Sequence, residues 1–347
     1  MKHIFLLFIL VFPAMISCQK EKITLVQKVS ETFYIENRGA SMRILVDGNT
    51  SSKVFIVFVH GGPGVGAFVY NSDYLSNNIE DKYAIVYWDQ RNSGASQGNS
   101  NGKYLTLEQM TDDLRKVIQV IKFRYGQNSE VFIMGHSFGG LLTSSFMTTG
   151  NNQDMVQGWI FADGSQNYPL NDTLTRQMLL SVGQQQIALN KNRVKWQEIV
   201  TYCNAHTGNF SFDESNQMMK YAEDAETYIY EVPKINSWEL FRNNAIKFDW
   251  PLTSMLMNYL YSSNASLNKD LAKIEFSSSL YKVTLPVLIL YGQYDFVCPK
   301  GLGYDLYNRV SSTDKKIIIS PISGHNIMFQ DEVLFCREVN EFIALHR

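Results

Sequence analysis

The chain has 347 residues, of which 45% are hydrophobic, 13% aromatic and 18% charged. This composition excludes a disordered chain, and the length predicts about two structural units, or one large α/β unit, with a sizeable core. Lysine and arginine number 31 against 33 aspartate and glutamate residues, so the net charge of −2 leaves no basic excess for binding nucleic acid. The four cysteines form no C-x-x-C pair, which excludes a disulfide scaffold and a zinc ribbon.

The N-terminal segment has the pattern of an export signal. Lys2 precedes an apolar run over residues 4–16 that is too short to span a bilayer as a stable helix. The run ends at a small residue directly before Cys18, which resembles the lipobox of bacterial lipoproteins. We therefore expect a signal peptide over 1–17, lipidation of Cys18 and a tether over 18–30. The protein would then be exported and held at a bacterial membrane by its lipid anchor only; plain secretion, periplasmic release and an uncleaved anchor are the alternatives.

Short apolar runs alternate with helical patterns along most of the remaining chain. The run VFIVFV at 54–59 is typical of a strand buried on both faces of a parallel sheet. Such patterns predict an extended segment over 32–46 with a turn at 47–49, and then strands over 54–59, 83–88, 131–134, 159–162, 286–291 and 316–320. Helical spacing predicts helices over 107–125, 138–147 and 333–345. This alternation predicts an α/β fold with a mostly parallel central sheet flanked by helices.

The alternation stops between residues 166 and 283. This stretch has no strong strand pattern, whereas its windows 196–202 and 218–230 have the spacing of amphipathic helices. We therefore predict a helical cap over 166–283, inserted between a first core part at 31–165 and a second core part at 284–347.

The sharpest motif is GHSFGG at 135–140, which follows the strand predicted over 131–134 and opens the next helix. This is the G-x-S-x-G nucleophile elbow, in which a serine lies on a tight strand-to-helix turn. The glycines avoid collisions within the turn, and the helix start directs free N–H groups at a developing oxyanion. Ser137 is therefore the candidate nucleophile. The alternative is a glycine-rich turn without chemistry.

A serine hydroxyl is a weak nucleophile until a base removes its proton. Elbow enzymes carry their triad in the order Ser, Asp or Glu, His, and only His325 and the C-terminal His346 come late enough in the chain to fit. His325 lies in the loop after the last predicted strand, and Asp295 lies just past the strand over 286–291. We predict that Asp295 orients the His325 imidazole, with Asp163 at the end of the preceding strand as the competing acid.

A second glycine-rich loop, HGGPG at 60–64, follows the strand over 54–59. In elbow enzymes one oxyanion donor is an N–H group of this loop, and the other belongs to the residue after the nucleophile. The donors should therefore be the N–H groups of Phe138 and of Gly62, with Gly61 as the alternative. A phosphate-binding loop is the rival interpretation, but the segment lacks the Lys-Ser/Thr ending and the dinucleotide spacing.

Together, HGGPG at 60–64, DQRNSGAS at 89–96 and GHSFGG at 135–140 resemble the proline iminopeptidase-like branch of the α/β-hydrolases. The resemblance covers about residues 32–166 and 284–347, and it implies the α/β-hydrolase fold. It also implies Ser137, Asp295 and His325 as the catalytic residues, and Gly62 and Phe138 as the oxyanion donors.

The DQRNSGAS segment departs from the family pattern at one position. Asn92 stands where the family carries a glycine. Asparagine tolerates left-handed backbone conformations better than most residues, so we expect the loop to persist. The resemblance implies that Asp89 and Arg91 are structural residues linking loops under the site.

In that family, acidic side chains of the cap hold the free α-amino group of the substrate. The cap here offers several carboxylates, namely Glu223, Asp224, Glu226, Glu231 and Glu239. Glu231 follows Tyr228-Ile229-Tyr230, which resembles the aromatic-aromatic-Glu cap motif of the peptidases. Glu231, Glu239 or another cap carboxylate is thus the candidate amine ligand, and a solvated helix face is the alternative interpretation.

The motifs predict a serine hydrolase, and the resemblance to proline iminopeptidase implies an aminopeptidase that acts on short peptides through an acyl-serine intermediate. A carboxylesterase with the same triad and a non-catalytic lipoprotein that binds a small ligand under the cap are the alternatives. No H-E-x-x-H motif or histidine cluster indicates a metal, and no cofactor is expected. The expected partner is a small-molecule or short-peptide substrate.

Overall fold

A computed structural model describes residues 28–96, 103–208, 210–235 and 273–347. The strands are β1 Lys28–Asn37, β2 Ala40–Asn49, β3 Val54–Val59, β4 Ala84–Trp88, β5 Glu130–His136, β6 Gly158–Ala162, β7 Val287–Gly292 and β8 Lys315–Ser320. They form an eight-stranded sheet in the order β1-β2-β4-β3-β5-β6-β7-β8. Strands β3 to β8 are parallel, whereas β2 pairs antiparallel with both β1 and β4.

Helices cover both faces of this sheet, and the predicted fold class is confirmed. The α-helices of the described residues are α1 Asp73–Leu75, α2 Leu107–Tyr125, α3 Phe138–Thr148, α4 Tyr168–Ala188, α5 Arg193–Ala205, α6 Phe212–Tyr228, α7 Gly301–Arg309, α8 Ile327–Gln330 and α9 Glu332–His346. The three predicted core helices and the six predicted strands after residue 50 agree with the structure to within two residues at each end.

The first extended segment is a hairpin, and its predicted turn was wrong. The chain reverses at Arg38 and Gly39, whose φ angles of 44° and 78° are those of a tight two-residue turn. The predicted turn at 47–49 instead forms the end of β2, where Gly48 pairs with Ala84 of β4. An Arg-Gly pair is a weaker turn signal than Asp-Gly, so the sequence pattern favoured the wrong position.

The continuous apolar runs lie in the parallel strands because both faces of those strands are covered. All six residues of β3 are buried. Phe55 packs in the cluster that contains Leu114 of α2, whereas Ile56 packs in the opposite cluster with Val339 of α9. Burial of this kind contributes roughly 1.5–3 kcal/mol for each large aliphatic or aromatic side chain.

Helices α4, α5 and α6 lie between β6 and β7, where the cap was predicted. The sequence missed α4 because its buried positions include Asn171, Asp172 and Thr175, which hide the apolar periodicity. Trp196 of α5 is fully buried, and its ring centroid lies 6.0 Å from that of Phe296. Since Phe296 directly follows Asp295, these helices pack on the strand end that carries the predicted acid. The division at 31–165, 166–283 and 284–347 stays a prediction.

Several predictions concern residues outside the described ranges, including the signal, Cys18, the tether up to residue 27 and Glu239. No helix within the described ranges is long and apolar enough to cross a membrane. Cys203, Cys298 and Cys336 are buried free thiols.

Candidate active site

Ser137 lies on the turn between β5 and α3 with φ 54° and ψ −121°, a left-handed backbone that few side-chain-bearing residues adopt. Two glycines make this turn sterically feasible. A Cβ atom on Gly139 would lie 1.9 Å from the carbonyl oxygen of Val59, and one on Gly135 would lie 2.6 Å from the carbonyl oxygen of Gly139. The glycines of the motif therefore allow the elbow to pack directly against β3.

The structure brings the three predicted residues together. His325 Nε2 lies 3.0 Å from Ser137 Oγ, and His325 Nδ1 lies 3.0 Å from Asp295 Oδ2 and 3.2 Å from Asp295 Oδ1. Asp295 is fully buried, and its Oδ1 also accepts a hydrogen bond from the backbone N–H of Cys298 at 2.7 Å. This arrangement places the Nδ1 proton towards Asp295 and leaves Nε2 free to accept the serine proton.

The charges around His325 favour its protonated form. Burial lowers the pKa of His325, but the charge and hydrogen bond of Asp295, together with the charges of Asp163 and Glu226, raise it to about 9. Burial raises the pKa of Asp295, and the adjacent imidazole opposes that shift. An imidazolium formed during a reaction would therefore be stabilised at this position.

Asp163, the competing acid, holds backbone groups and makes no hydrogen bond to the imidazole. Its Oδ1 accepts from the N–H of Gly292, and its Oδ2 accepts from the N–H of Ile327, both at 2.9 Å. Burial and the nearby charge of Asp295 raise its pKa well above the usual value for a carboxyl. Asp163 thus ties the end of β7 to the loop that carries His325.

The HGGPG loop at 60–64 lies directly against Ser137. A Cβ atom on Gly61 would lie 2.9 Å from Ser137 Cβ, and Gly62 has a φ of 117°, which favours glycine. Phe138 is the first residue of α3, so its N–H group lies at the helix start, where backbone donors have no partner within the helix. His60 braces this loop, because its Nε2 accepts from the N–H of Gln90 at 3.2 Å.

His136 contacts two neighbouring loops around the site. Its Nε2 lies 2.8 Å from the carbonyl oxygen of His325, and its Nδ1 lies 3.0 Å from the hydroxyl of Tyr70. The carbonyl can only accept, so Nε2 carries the proton and Tyr70 donates to Nδ1. Burial and the charge of His325 lower the pKa of His136 to about 3, which keeps its ring neutral.

The DQRNSGAS segment forms a buried brace beneath the site. Asp89 accepts from the N–H groups of Ala67 and Ala95 at 2.7 and 2.9 Å. Arg91 forms a buried ion pair with Asp113, with Nε 2.6 Å from Oδ2. Asn92 has a φ of 54°, the left-handed conformation expected of a residue in the place of glycine.

A cleft of about 560 Å³ opens over Ser137. Its walls include Tyr70, Phe138, Tyr168 and Val232, which give it an apolar character near the nucleophile. Glu223, Glu226 and Lys234 bring charge to the cap side. Glu231 is exposed and does not line this cleft, so among the cap carboxylates that the structure describes, the aromatic-aromatic-Glu pattern did not indicate the two on the cleft wall.

A mostly parallel sheet with a serine elbow and an imidazole and carboxylate from later strand ends defines a hydrolase of the α/β-hydrolase fold. Residues 50–231 and 261–332 match the family described as "Serine aminopeptidase, S33". The chain belongs to this family.

Its relatives include enzymes named for aminopeptidase activity. The chain is 19% identical to the "Probable aminopeptidase YbaC" of Bacillus subtilis (strain 168), over 87% of this chain and 93% of that protein. It is 20% identical to the "Proline iminopeptidase" of Elizabethkingia meningoseptica, over 85% of this chain and 91% of that protein. The crystal structure of a proline iminopeptidase from Mycobacterium smegmatis superposes with a TM-score of 0.66 at 14% identity, covering 91% of this chain and 98% of that one.

Proposed function

We propose that this serine hydrolase is an aminopeptidase that removes the N-terminal residue of short peptides. The observation that carries the proposal is the contact of His325 Nε2 with Ser137 Oγ at 3.0 Å, under a cleft with carboxylates on its cap side. Membership of the Serine aminopeptidase, S33 family and the proline iminopeptidase relatives support the same activity.

In the proposed reaction, Ser137 Oγ attacks the carbonyl carbon of the scissile bond while its proton passes to His325 Nε2. The N–H groups of Gly62 and Phe138 stabilise the oxyanion of the tetrahedral intermediate, and Asp295 stabilises the imidazolium. When the intermediate collapses, His325 gives the proton to the leaving amine, which leaves an acyl group on Ser137. Water then attacks the acyl carbon while its proton passes to His325; the bond between the acyl carbon and Ser137 Oγ breaks, His325 returns the proton to Oγ, and the freed amino acid departs.

The α-amino group of the substrate would lie towards the cap carboxylates. Glu226 is half-buried on the cleft wall, and Glu223 lies one helical turn before it on α6. Residues three apart share a helix face, so both carboxylates can attract one ammonium group. We therefore assign the amine subsite to this pair in preference to Glu231.

Paired substrates test this activity. Purified protein should hydrolyse proline or alanine arylamides that have a free amino group, and N-acetylation of the substrate should lower kcat/KM about 100-fold or more because an ionic contact is lost. Ser137→Ala should abolish hydrolysis of the free-amino and the N-acetylated arylamides. Brisk cleavage of small esters without turnover of any free-amino substrate would instead establish the carboxylesterase.

We also propose that the protein is exported and anchored through lipid on Cys18. The support is the charged start, the short apolar run and the small residue before Cys18. Mass spectrometry of the protein expressed in a bacterium should show a diacylglycerol-modified Cys18 at the mature N-terminus, and Cys18→Ser should release the protein from the membrane fraction. An unmodified Cys18 in a processed or full-length chain would refute the anchor.

A further inference from the structure

The backbone around His325 is held by side chains from three parts of the chain. Each of the four consecutive N–H groups of residues 324–327 donates to a side-chain oxygen. In chain order the acceptors are Gln330 Oε1 at 2.9 Å, Glu226 Oε2 at 2.9 Å, Gln330 Oε1 at 3.2 Å and Asp163 Oδ2 at 2.9 Å. The position of the imidazole is therefore set by hydrogen bonds to its own main chain as well as by Asp295.

The His325 N–H group donates to a residue of the cap helix α6. Glu226 Oε2 accepts from this N–H, and Glu226 Oε1 accepts from Gln330 Nε2 at 2.9 Å. Gln330 itself belongs to α8, directly after the histidine loop. The Glu226 carboxylate thus accepts from both the main chain of His325 and the side chain of Gln330. Gln330 in turn accepts from the N–H groups on either side of His325.

The sequence makes room for this contact at Gly324. A Cβ atom there would lie 2.1 Å from Glu226 Cδ and 2.3 Å from Glu226 Oε1. Any other residue at position 324 would force the carboxylate away from the loop, so a glycine before the histidine permits the close approach of α6.

The contact keeps the Glu226 carboxylate in a position that disfavours its charged form. Burial raises the pKa of Glu226, and the charge of Asp295 raises it further, whereas the hydrogen bonds from Gln330 and His325 oppose the shift. A carboxylate facing bulk water would avoid the burial and the repulsion. Its inward orientation therefore depends on the two hydrogen bonds that it accepts and on its attraction to the charge of the His325 imidazole.

We propose that Glu226 is a positioning residue that sets the register of the His325 imidazole from the cap, in addition to its place at the amine subsite. Docking of α6 on the histidine loop would then be part of assembling the active base. A displacement of a reacting group by about 1 Å can lower a rate about 100-fold, so loss of this hold should act on turnover. The inference depends on the proposed function only in taking His325 as the base.

An ester that has no amino group separates positioning from amine binding. With p-nitrophenyl acetate, Glu226→Ala should lower kcat about 10- to 100-fold and change KM less than about twofold, since the imidazole is misplaced but the ester contacts remain. Glu226→Gln keeps an amide oxygen that can accept from the His325 N–H but loses the acceptor for Gln330 Nε2, so it should lower kcat less than Glu226→Ala does. With an alanine arylamide, both variants should lose kcat/KM, because both lack the carboxylate charge.

Two further variants distinguish the positioning role of Glu226 from a general loss of folding. Asp224→Asn is the matched control, since Asp224 is exposed on the same helix and does not line the cleft. Glu226→Asp keeps the charge but withdraws the oxygens by one methylene, so it should lower ester kcat even if Glu226→Ala does not fold. Proton NMR supplies a direct readout, because the downfield Nδ1 resonance of His325 should shift or broaden in Glu226→Ala and persist in Asp224→Asn.

The outcomes distinguish this inference from the proposed function. If Glu226→Ala and Glu226→Asp keep full ester turnover but lose arylamide turnover, Glu226 is an amine ligand only, and the positioning role is wrong. An equal loss of ester kcat in Glu226→Gln and Glu226→Ala would also overturn it. If no arylamide is hydrolysed by the unsubstituted protein, the aminopeptidase proposal fails, while the ester measurements still decide the role of Glu226.

Discussion

Replacing Asp295 by asparagine should reverse the tautomer of the candidate base. In the structure, Asp295 Oδ1 accepts from the N–H of Cys298 at 2.7 Å, and Oδ2 faces His325 Nδ1 at 3.0 Å. Asparagine has one oxygen, which should remain with the buried N–H of Cys298, because an unpaired buried donor costs about 1–3 kcal/mol. The amide NH2 group would then face Nδ1.

Facing an NH2 group, Nδ1 must accept a hydrogen bond, so the ring proton moves to Nε2. Nε2 lies 3.0 Å from Ser137 Oγ and can no longer take the serine proton. We expect kcat to fall about 10³- to 10⁴-fold, which corresponds to about 4–5.5 kcal/mol of transition-state stabilisation. The assay is steady-state hydrolysis of an activated ester, with thermal unfolding measured in parallel to show that the variant is folded.

Asp163→Asn is the informative comparison for this variant. Among the described residues, Asp163 accepts from the backbone N–H groups of Gly292 and Ile327, so its replacement should weaken the loop and lower the unfolding temperature without changing the tautomer of His325. Its loss of kcat should therefore be at least tenfold smaller than that of Asp295→Asn. More than a tenth of the original activity in Asp295→Asn, or a larger loss in Asp163→Asn, would refute the assignment of the acid.

Three further predictions concern titration and packing. Because His325 acts as a base only when neutral and its pKa is raised to about 9, kcat/KM should increase as pH rises through that value; a midpoint below about 6.5, the ordinary histidine pKa, would contradict the charge arrangement. Gly139→Ala should abolish activity and lower soluble expression, since its Cβ would lie 1.9 Å from the carbonyl oxygen of Val59; a folded, fully active variant would rule out the tight elbow. Arg91→Ala removes the ion-pair partner of the buried Asp113 carboxylate and leaves it neutral donors such as the amides of Asn37 and Gln109, so chemical denaturation should show that the free energy of unfolding falls by about 3–5 kcal/mol, while the KM of any folded fraction is unchanged; a loss below about 1 kcal/mol would contradict the structural role.

The sequence was sufficient to locate the candidate triad because chain order and strand ends constrain it strongly. In a parallel sheet the carboxyl ends of neighbouring strands meet at one edge, so residues that follow β5, β7 and β8 converge there. Ser137 directly follows β5, whereas Asp295 lies three residues past the end of β7 and His325 five residues past the end of β8. Their convergence therefore required only that the strands be recognised and correctly ordered.

The cap carboxylates could not be located in the same way. Whether Glu226 faces the cleft depends on how α6 is rotated when it packs on the core, and local sequence does not specify that rotation. Glu231 lies three residues past the end of α6, where its direction depends on the course of the following turn. The close contact at Gly324 fixes the rotation of α6 in the structure, through a residue nearly 100 positions away along the chain. The hairpin turn at Arg38 was not predicted because strand pairing, not local sequence, sets its position. Helix α4 was not predicted because its buried face is partly polar and so shows no apolar periodicity.

The nucleophilicity of Ser137 and its dependence on His325 are the central features of the proposed mechanism. Peptide mapping after reaction with a fluorophosphonate measures both, because the reagent marks the serine whose hydroxyl is activated by a base. We predict one phosphonylated residue, Ser137, in the unsubstituted protein, and labelling that is at least 100-fold slower in folded His325→Ala. Modification at another residue, or equal labelling rates in the two proteins, would contradict the account.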